Sequence, residues 1–191
     1  FALERTQEIL YLLKQLSEDC KLENIPVFLD APLAINVTKT FMDFPNLFSR
    51  KVEKIIQKGE NPFSFKELVY TSVIEESQKI GEHIGAKIII AGSGMCEGGR
   101  VGYHLLKYIQ ERKNLILFVG FQVPSTLGDK ITRGNNNIKI EDKDVKINAK
   151  ISSVSGFSAH ADQKEILEWI NNMNDIYCVY LIHGEEKQLE T

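Results

Sequence analysis

The order of strand, glycine-rich loop, helix and strand in the middle of the chain limits the folds that it can adopt. Residues 87–91 and 115–119 have the pattern of short buried strands. Between them lie a glycine-rich loop at residues 92–99 and a helical pattern at residues 100–112. Strands joined in this way are expected to pair in parallel, with helices covering the sheet. The sequence therefore predicts an α/β fold built on parallel strands.

Apolar periodicity predicts the remaining elements. Helices are expected at residues 4–16, 33–41, 72–84 and 163–173, and strands at residues 26–30 and 177–182. Ser72 and Glu75 have the spacing of a capping box for one of these helices. Two alternating segments around residues 138–147 predict an antiparallel hairpin. Residues 120–134 carry several glycines and are expected to form a loop at a domain seam.

The bulk composition is that of a soluble globular protein. Of the 191 residues, 43% are hydrophobic and 26% charged, and no apolar run is long enough to cross a bilayer. The three cysteines form no CxxC pair, which favours a reducing, cytoplasmic setting. The net charge of −3 argues against binding nucleic acid through overall charge, although a local groove could still be basic.

The histidines are the first candidates for chemistry. His160 is flanked by small residues at the junction between a strand pattern and a helix pattern, so its imidazole is well placed to reach a metal. The ligands that would complete such a site are missing, because no HxH, HExxH or paired CxxC motif occurs. His83 lies on the polar side of a predicted helix and is expected to be a surface residue.

The glycine-rich loop is a second candidate site. Free N–H groups at the start of the following helix suit an anion, and Arg100 could add a charged fork for a phosphate. The loop lacks both the P-loop and the dinucleotide-binding spacing. A tight strand-to-helix turn explains these residues equally well.

His104 lies one helical turn after Arg100, so both side chains can face the same side of the helix. A histidine there could donate a proton to a leaving oxygen if a carboxylate held it. Glu8, a polar residue on an otherwise apolar helix, is a candidate for that carboxylate. The alternative is that Glu8 is a solvated helix residue, which composition alone favours.

Taken in order, these segments resemble the β-CASP branch of the metallo-β-lactamase-fold nucleases. Residues 1–8 resemble the helix that carries the acidic motif A, and residues 30–34 resemble the "DSPLA" turn, with Ala31 in place of Ser. Residues 92–104 are similar to the motif B region, and residues 156–162 to motif C. A histidine in motif C indicates the RNA-cleaving members, and the prokaryotic group is the most similar.

The resemblance implies a fold and a division into domains. Residues 1–125 would be a parallel-sheet β-CASP domain with flanking helices, and residues 126–191 the C-terminal part of a metallo-β-lactamase αββα domain. The signature HxHxDH of the N-terminal lactamase half does not occur in the chain. We therefore expect a fragment whose partner is that missing N-terminal half.

The resemblance also implies that the intact protein hydrolyses RNA phosphodiesters with two zinc ions. In that reading His104, held by Glu8, protonates the leaving oxygen, and His160 is a zinc ligand. Weaker candidates for gripping phosphates are Ser93, Gly94, Arg100, Ser158 and His183. Because one ligand cannot hold a catalytic zinc pair, the 191 residues alone are expected to be inactive.

Two other functions stay open. One is a non-catalytic RNA-binding or scaffold subunit of a processing complex, which the presence of Glu8, His104 and His160 disfavours. The other is an α/β phosphate-binding module, which leaves His160 and its flanks unexplained. The sequence does not decide between endonuclease and 5′-exonuclease activity, or whether the protein is a homo-oligomer.

Overall fold

The computed structural model describes residues 3–154, 156 and 161–181. The chain divides into two units, residues 1–157 and residues 158–191. The described helices of the chain include none that is long and apolar enough to span a membrane.

A three-stranded parallel sheet lies in the first part of the larger unit. Its order is β2 (Leu68–Tyr70), β1 (Val27–Asp30) and β3 (Ile88–Ala91), so β1 has a neighbour on each side. Asp30 is level with Ala91 in this register. The carboxyl ends of parallel strands lie at the same edge of a sheet. The segments that follow β1 and β3 therefore lie close together at that edge.

Four α-helices accompany this sheet. They are α1 (Arg5–Glu18), α2 (Pro32–Met42), α3 (Arg50–Gln57) and α4 (Ile74–Lys79), with 3₁₀ turns at Pro45–Leu47 and Ile80–Glu82. Leu10 of α1 and Ile35 of α2 are buried in one hydrophobic cluster with Leu29 of the central strand. Burial of such side chains contributes about 2 kcal/mol each, which holds α1 and α2 on the sheet.

A second core lies in the later part of the same unit. Its elements are α5 (Arg100–Tyr108), β4 (Leu115–Phe118), α6 (Leu127–Thr132), β5 (Asn137–Ile140), β6 (Lys143–Lys146) and β7 (Lys150–Ser153). β4 pairs with β7 in parallel, and β5 with β6 in antiparallel fashion. The fully buried Ile109 and Ile131 pack in this core with the inward-facing residues of the hairpin.

The described part of the smaller unit contains the helix α7 (Gln163–Asn171). Asp162 caps it: the Glu165 amide donates to the Asp162 carboxylate, and the Asp162 amide donates to the Glu165 carboxylate, at 2.8 and 2.9 Å. This capping box satisfies two backbone donors that a helix start leaves without partners.

The predicted α/β class with parallel strands is confirmed, and so are the antiparallel hairpin and most helices. The pairing of strands was predicted wrongly, because β3 pairs with β1 and β4 pairs with β7 rather than with each other. The order of elements along the chain sets the direction of strands but not which of them become neighbours.

Three local predictions need correction. The expected loop at 120–134 contains α6, whose start is capped by the Thr126 hydroxyl accepting from the Asp129 amide. The helix at 72–84 is shorter than expected, and the carboxylate that caps it belongs to Glu76 rather than Glu75. Residues 177–181 form no strand, since the described part of their unit offers no neighbouring strand to complete the hydrogen bonds.

Candidate functional site

Asp30 ends the central strand β1 and is fully buried. A carboxylate in the interior is costly unless hydrogen bonds and an opposite charge compensate it. Asp30 lies at the sheet edge where the glycine-rich loop leaves β3. The helix that follows the loop, α5, therefore brings Arg100 and His104 close to Asp30.

Four side chains surround this carboxylate. Oδ2 accepts from Ser77 Oγ at 2.5 Å and lies 2.6 Å from His104 Nε2. Oδ1 accepts from Thr71 Oγ1 at 2.8 Å and from Arg100 Nη1 at 2.5 Å. Because a carboxylate only accepts, His104 donates from Nε2. We call these five residues the Asp30 network.

The network keeps the Asp30 carboxylate ionised. Burial raises its pKa, but the hydrogen bonds from His104, Ser77, Arg100 and Thr71 together outweigh burial and hold the pKa well below the ordinary 3.8. Hydrogen bonds to the charged form stabilise that form, which is the cause of the net decrease. At neutral pH the network therefore contains a buried negative charge paired with Arg100.

Arg100 is committed to this network. Besides Asp30, its Nη1 donates to the Thr71 carbonyl at 2.8 Å and its Nη2 donates to the Ser72 carbonyl at 2.9 Å. Its side chain is 18% exposed. With three of its five N–H groups used and its charge matched by Asp30, Arg100 has little left for a phosphate. Its geometry fits the anchoring of α5 to the sheet better than the gripping of a ligand.

The glycine-rich loop between β3 and α5 depends on Gly99. Its φ is +75°, and a Cβ atom there would lie 2.5 Å from the Gly92 carbonyl oxygen. The Ser93 hydroxyl donates to the Glu97 carbonyl at 2.8 Å, and the Val101 amide donates to the Gly92 carbonyl at 3.0 Å. The loop therefore folds back on itself, and the tight strand-to-helix turn is present.

A pocket of about 480 Å³ opens beside this loop. Its wall consists of small and apolar residues of two loops and the start of α2, together with Thr6, Asp30, Ser93, Gly94 and Arg100. The structure thus brings together three of the residues predicted to grip phosphate, Ser93, Gly94 and Arg100. The Ser93 hydroxyl, however, is used within the loop, so the polar groups of this pocket are mostly occupied.

The predicted pairing of His104 with Glu8 needs correction. The carboxylate on His104 is Asp30, whereas Glu8 is exposed and accepts from Arg5 Nη1 at 3.1 Å within the same helix. His104 itself is 7% exposed, and its Nδ1 is buried without a hydrogen-bond partner among the described residues. His83 is exposed, as predicted, and packs edge-on against Phe28.

Three predicted site residues, Ser158, His160 and His183, lie outside the described residues. Within the described ranges, no group of three or more His, Cys, Asp or Glu side chains could hold a metal ion. The described residues by themselves therefore do not fit a zinc centre.

Sequence reasoning missed Asp30, Thr71 and Ser77 as members of one site. One signal was available, because Asp30 is the last residue of a buried parallel strand and must lie at the edge where the loop after β3 begins. Thr71 and Ser77 carry no comparable signal. Each lies more than forty positions from Asp30, at separations of 41 and 47 residues.

Comparison with known protein families assigns both parts of the chain. The Beta-Casp domain matches residues 6–131. The domain described as "Zn-dependent metallo-hydrolase RNA specificity domain" matches residues 144–191.

Similar proteins include Ribonuclease TTHA0252 of Thermus thermophilus, 34% identical over 99% of this chain and 43% of its own length. The Transcription termination factor FttA of Methanosarcina mazei is 31% identical over 98% of this chain and 30% of its own length. An RNase J-like protein of Methanocaldococcus jannaschii is 28% identical over 98% of this chain and 42% of its length. This chain thus spans less than half of these relatives, and its two family matches show that it belongs to the β-CASP family of zinc-dependent metallo-hydrolases.

Proposed function

We propose that this chain is part of a zinc-dependent hydrolase that cleaves RNA phosphodiester bonds in RNA processing or decay. The observation that carries the proposal is the match of residues 144–191 to an RNA specificity domain of zinc-dependent metallo-hydrolases. The similarity to a protein named as a ribonuclease, over nearly the whole chain, supports it further.

In this proposal the Asp30 network is a positioning device. Through Arg100 the network ties the start of α5 to the end of β1. Through His104 it ties the middle of α5 to the same strand end. The glycine-rich loop joins β3 to α5, so anchoring α5 in this way also fixes the end of the loop. Charge-assisted hydrogen bonds to a fully buried carboxylate fix geometry more tightly than surface contacts do.

For His104 the proposal keeps two roles that differ in chemistry. As a proton donor it would need to reach the leaving oxygen, although it is 7% exposed and its Nε2 contacts Asp30. As a positioning residue it would act only by holding α5 and the glycine-rich loop in place. Its burial favours the positioning role, and an RNA with a sulfur leaving atom separates the two.

The discriminating experiment uses the longer protein, that is, these 191 residues together with the expected N-terminal half. It compares the activity of His104→Ala with that of the wild type on two substrates. One is ordinary RNA, and the other carries sulfur in place of the bridging oxygen that leaves, so that its departure needs no protonation. Loss of a general acid costs about 10²- to 10⁴-fold on ordinary RNA and is largely restored by the sulfur substrate. Loss of a positioning residue reduces both rates equally.

For His160 the proposal keeps the role of zinc ligand. The test is metal content together with cleavage of 5′-labelled single-stranded RNA by the longer protein, its zinc-depleted form, and the variants His160→Ala and His183→Ala. The proposal expects zinc-dependent cleavage and a loss of zinc in His160→Ala. Full zinc content with His160→Ala would remove that residue from the ligand set.

The same experiment addresses the alternative of a non-catalytic RNA-binding or scaffold subunit. If the zinc-loaded longer protein binds the RNA without cutting it, the alternative replaces the enzyme. If it cuts RNA only when zinc is restored, the alternative is excluded.

A further inference from the structure

Two tyrosines of α5, whose rings also contact His104, lie beside a group of lysines. Lys87 immediately precedes β3, Lys107 is in the last turn of α5, and Lys113 is in the turn before β4. Tyr103 and Tyr108 of α5 lie beneath the ammonium groups of two of them. We call Lys87, Lys107 and Lys113 the lysine patch.

The tyrosine rings hold two of these ammonium groups in place. Lys107 Nζ lies 5.9 Å from the centre of the Tyr103 ring and 6.0 Å from that of Tyr108. Lys87 Nζ lies 5.5 Å from the Tyr108 ring centre and donates to the His83 carbonyl at 2.8 Å. Cation–π contacts of this length restrain a lysine that would otherwise sample many rotamers. Lys87 and Lys107 are therefore restrained before any partner binds.

Lys107 is restrained from a third side as well. A Cβ atom at Gly81 would lie 1.8 Å from Lys107 Nζ, so the ammonium group rests against the backbone of the 3₁₀ turn at Ile80–Glu82. A single lysine in the last turn of a helix is ordinary, because it complements the helix dipole. Lys87 and Lys107 come from separate segments and converge on the Tyr108 ring, and the charge of Lys113 adds to theirs. This convergence of charge requires another explanation.

The described residues supply no ion pair that balances the positive charge of the patch. Among the ion pairs of the described residues, none includes Lys87, Lys107 or Lys113. Burial lowers the pKa of Lys87, and the nearby charges of Lys107 and Lys113 lower it further. Like charges held this close oppose folding, and an anion placed among them would relieve the repulsion.

We propose that the lysine patch binds the phosphate backbone of the RNA strand that the protein holds. This inference rests on the proposed function and adds a contact surface to it. Ordered lysines beside aromatic rings, in a chain whose net charge is −3, form a local basic surface rather than a generally cationic one. Tyr103 is 38% exposed, which leaves part of a ring available to a base next to the bound phosphates.

The test measures RNA binding by the longer protein as a function of salt. The probe is a fluorescein-labelled, single-stranded 2′-O-methyl RNA of about 20 nucleotides, which covers the site size of typical single-strand binders. Gel electrophoresis checks that the probe stays intact during the measurement. Four proteins are compared: wild type, Lys87→Ala/Lys107→Ala/Lys113→Ala, the same positions changed to Arg, and the control Lys54→Ala/Lys58→Ala/Lys66→Ala. The control removes the same charge from exposed lysines of α3 and the following loop.

The proposal expects the patch-to-Ala variant to bind RNA about tenfold or more weakly. Each phosphate contact contributes about 0.7 to the slope of log affinity against log salt, so the slope should fall in magnitude by about 2. The Arg variant and the control should keep both affinity and slope. The melting temperatures of the variants confirm that the fold is kept.

Three outcomes would overturn the proposal. The first is unchanged affinity and slope in the patch-to-Ala variant while the wild type binds RNA, which leaves the proposed function in place. The second is an equal loss in the control, which would indicate a general charge effect. The third is patch-dependent binding of polyglutamate without binding of RNA, which would assign the patch to an acidic protein partner and contradict the proposed function too.

Discussion

The Nε2 atom of His104 lies 2.6 Å from Oδ2 of Asp30, which links the middle of α5 to the end of the central strand. Arg100 reaches the other oxygen of the same carboxylate. One buried aspartate thus fixes the helix at two positions, and the glycine-rich loop is confined between the helix and the sheet.

Removing the Asp30 carboxylate should be strongly destabilising. In Asp30→Ala, Arg100 loses its counter-charge and His104, Ser77 and Thr71 lose an acceptor, so we expect a loss of about 3 kcal/mol in the free energy of unfolding. Urea denaturation of the 191-residue chain measures it. Asp43→Ala, at an exposed position after α2, is the matched control and should change stability by less than about 0.5 kcal/mol. An equal effect of both variants would contradict the role of the network.

The network should also make stability depend on acid. Because the pKa of Asp30 is lower in the folded chain than its ordinary 3.8, the unfolded chain binds the proton more readily. The stabilisation that the ionised Asp30 carboxylate provides is therefore complete above about pH 5. It is lost as the pH falls below 3.8 towards the pKa of the folded chain.

The measurement is the free energy of unfolding at several pH values for wild type and Asp30→Asn. The variant is expected to be less stable at pH 7 and to lose less stability than the wild type on acidification. Parallel curves for the two proteins would show that Asp30 does not contribute to the acid dependence.

Adding a side chain should destabilise the chain more at Gly99 than at Gly59. Both have positive φ, but a Cβ atom at Gly99 would lie 2.5 Å from the Gly92 carbonyl oxygen, whereas nothing lies within 4 Å of one at Gly59. Gly59→Ala should cost about 1 kcal/mol from φ alone. Gly99→Ala should cost clearly more, because backbone must also move and because its ψ of −175° at positive φ lies in a region that only glycine adopts readily. Thermal unfolding of both variants checks this, and equal losses would contradict the described loop.

Cys96 should react slowly with thiol reagents. It is 6% exposed, and burial together with the charge of Glu97 raises the pKa of its thiol to about 11. Cys20 is exposed and provides an internal control. Iodoacetamide labelling of the native chain near pH 8, followed by peptide mass spectrometry, should modify Cys20 well before Cys96. Equal rates would mean that the core around Cys96 opens readily.

The 191 residues alone should bind no zinc pair and cleave no RNA. Among the described residues no cluster suits a metal, and the sequence predicts one ligand, His160. Calorimetric zinc titration and an RNA cleavage assay on the chain test this. Tight binding of two zinc ions per chain would contradict it, and a lower stoichiometry would fit a partial ligand set.

The sequence was sufficient to predict those features that depend on neighbouring residues. The apolar spacing of α1 and the alternation in β5 and β6 record their burial directly. The site was harder to predict, because folding brings the partners of Asp30 together from distant segments. These partners are Thr71, Ser77, Arg100 and His104. The sequence makes Glu8 a candidate partner for His104 because it is a polar residue on an otherwise apolar helix. A buried strand end, however, carries a carboxylate into the interior, and an exposed helix face does not.

The most direct test of the central claim is to follow the bond that is broken. The zinc-loaded longer protein is given single-stranded RNA in water enriched in the heavy isotope of oxygen, and the product termini are analysed by mass spectrometry. Our account predicts zinc-dependent cleavage with one heavy oxygen in each newly formed terminal phosphate. Products ending in an unlabelled 2′,3′-cyclic phosphate, or no cleavage by the zinc-loaded protein, would contradict it.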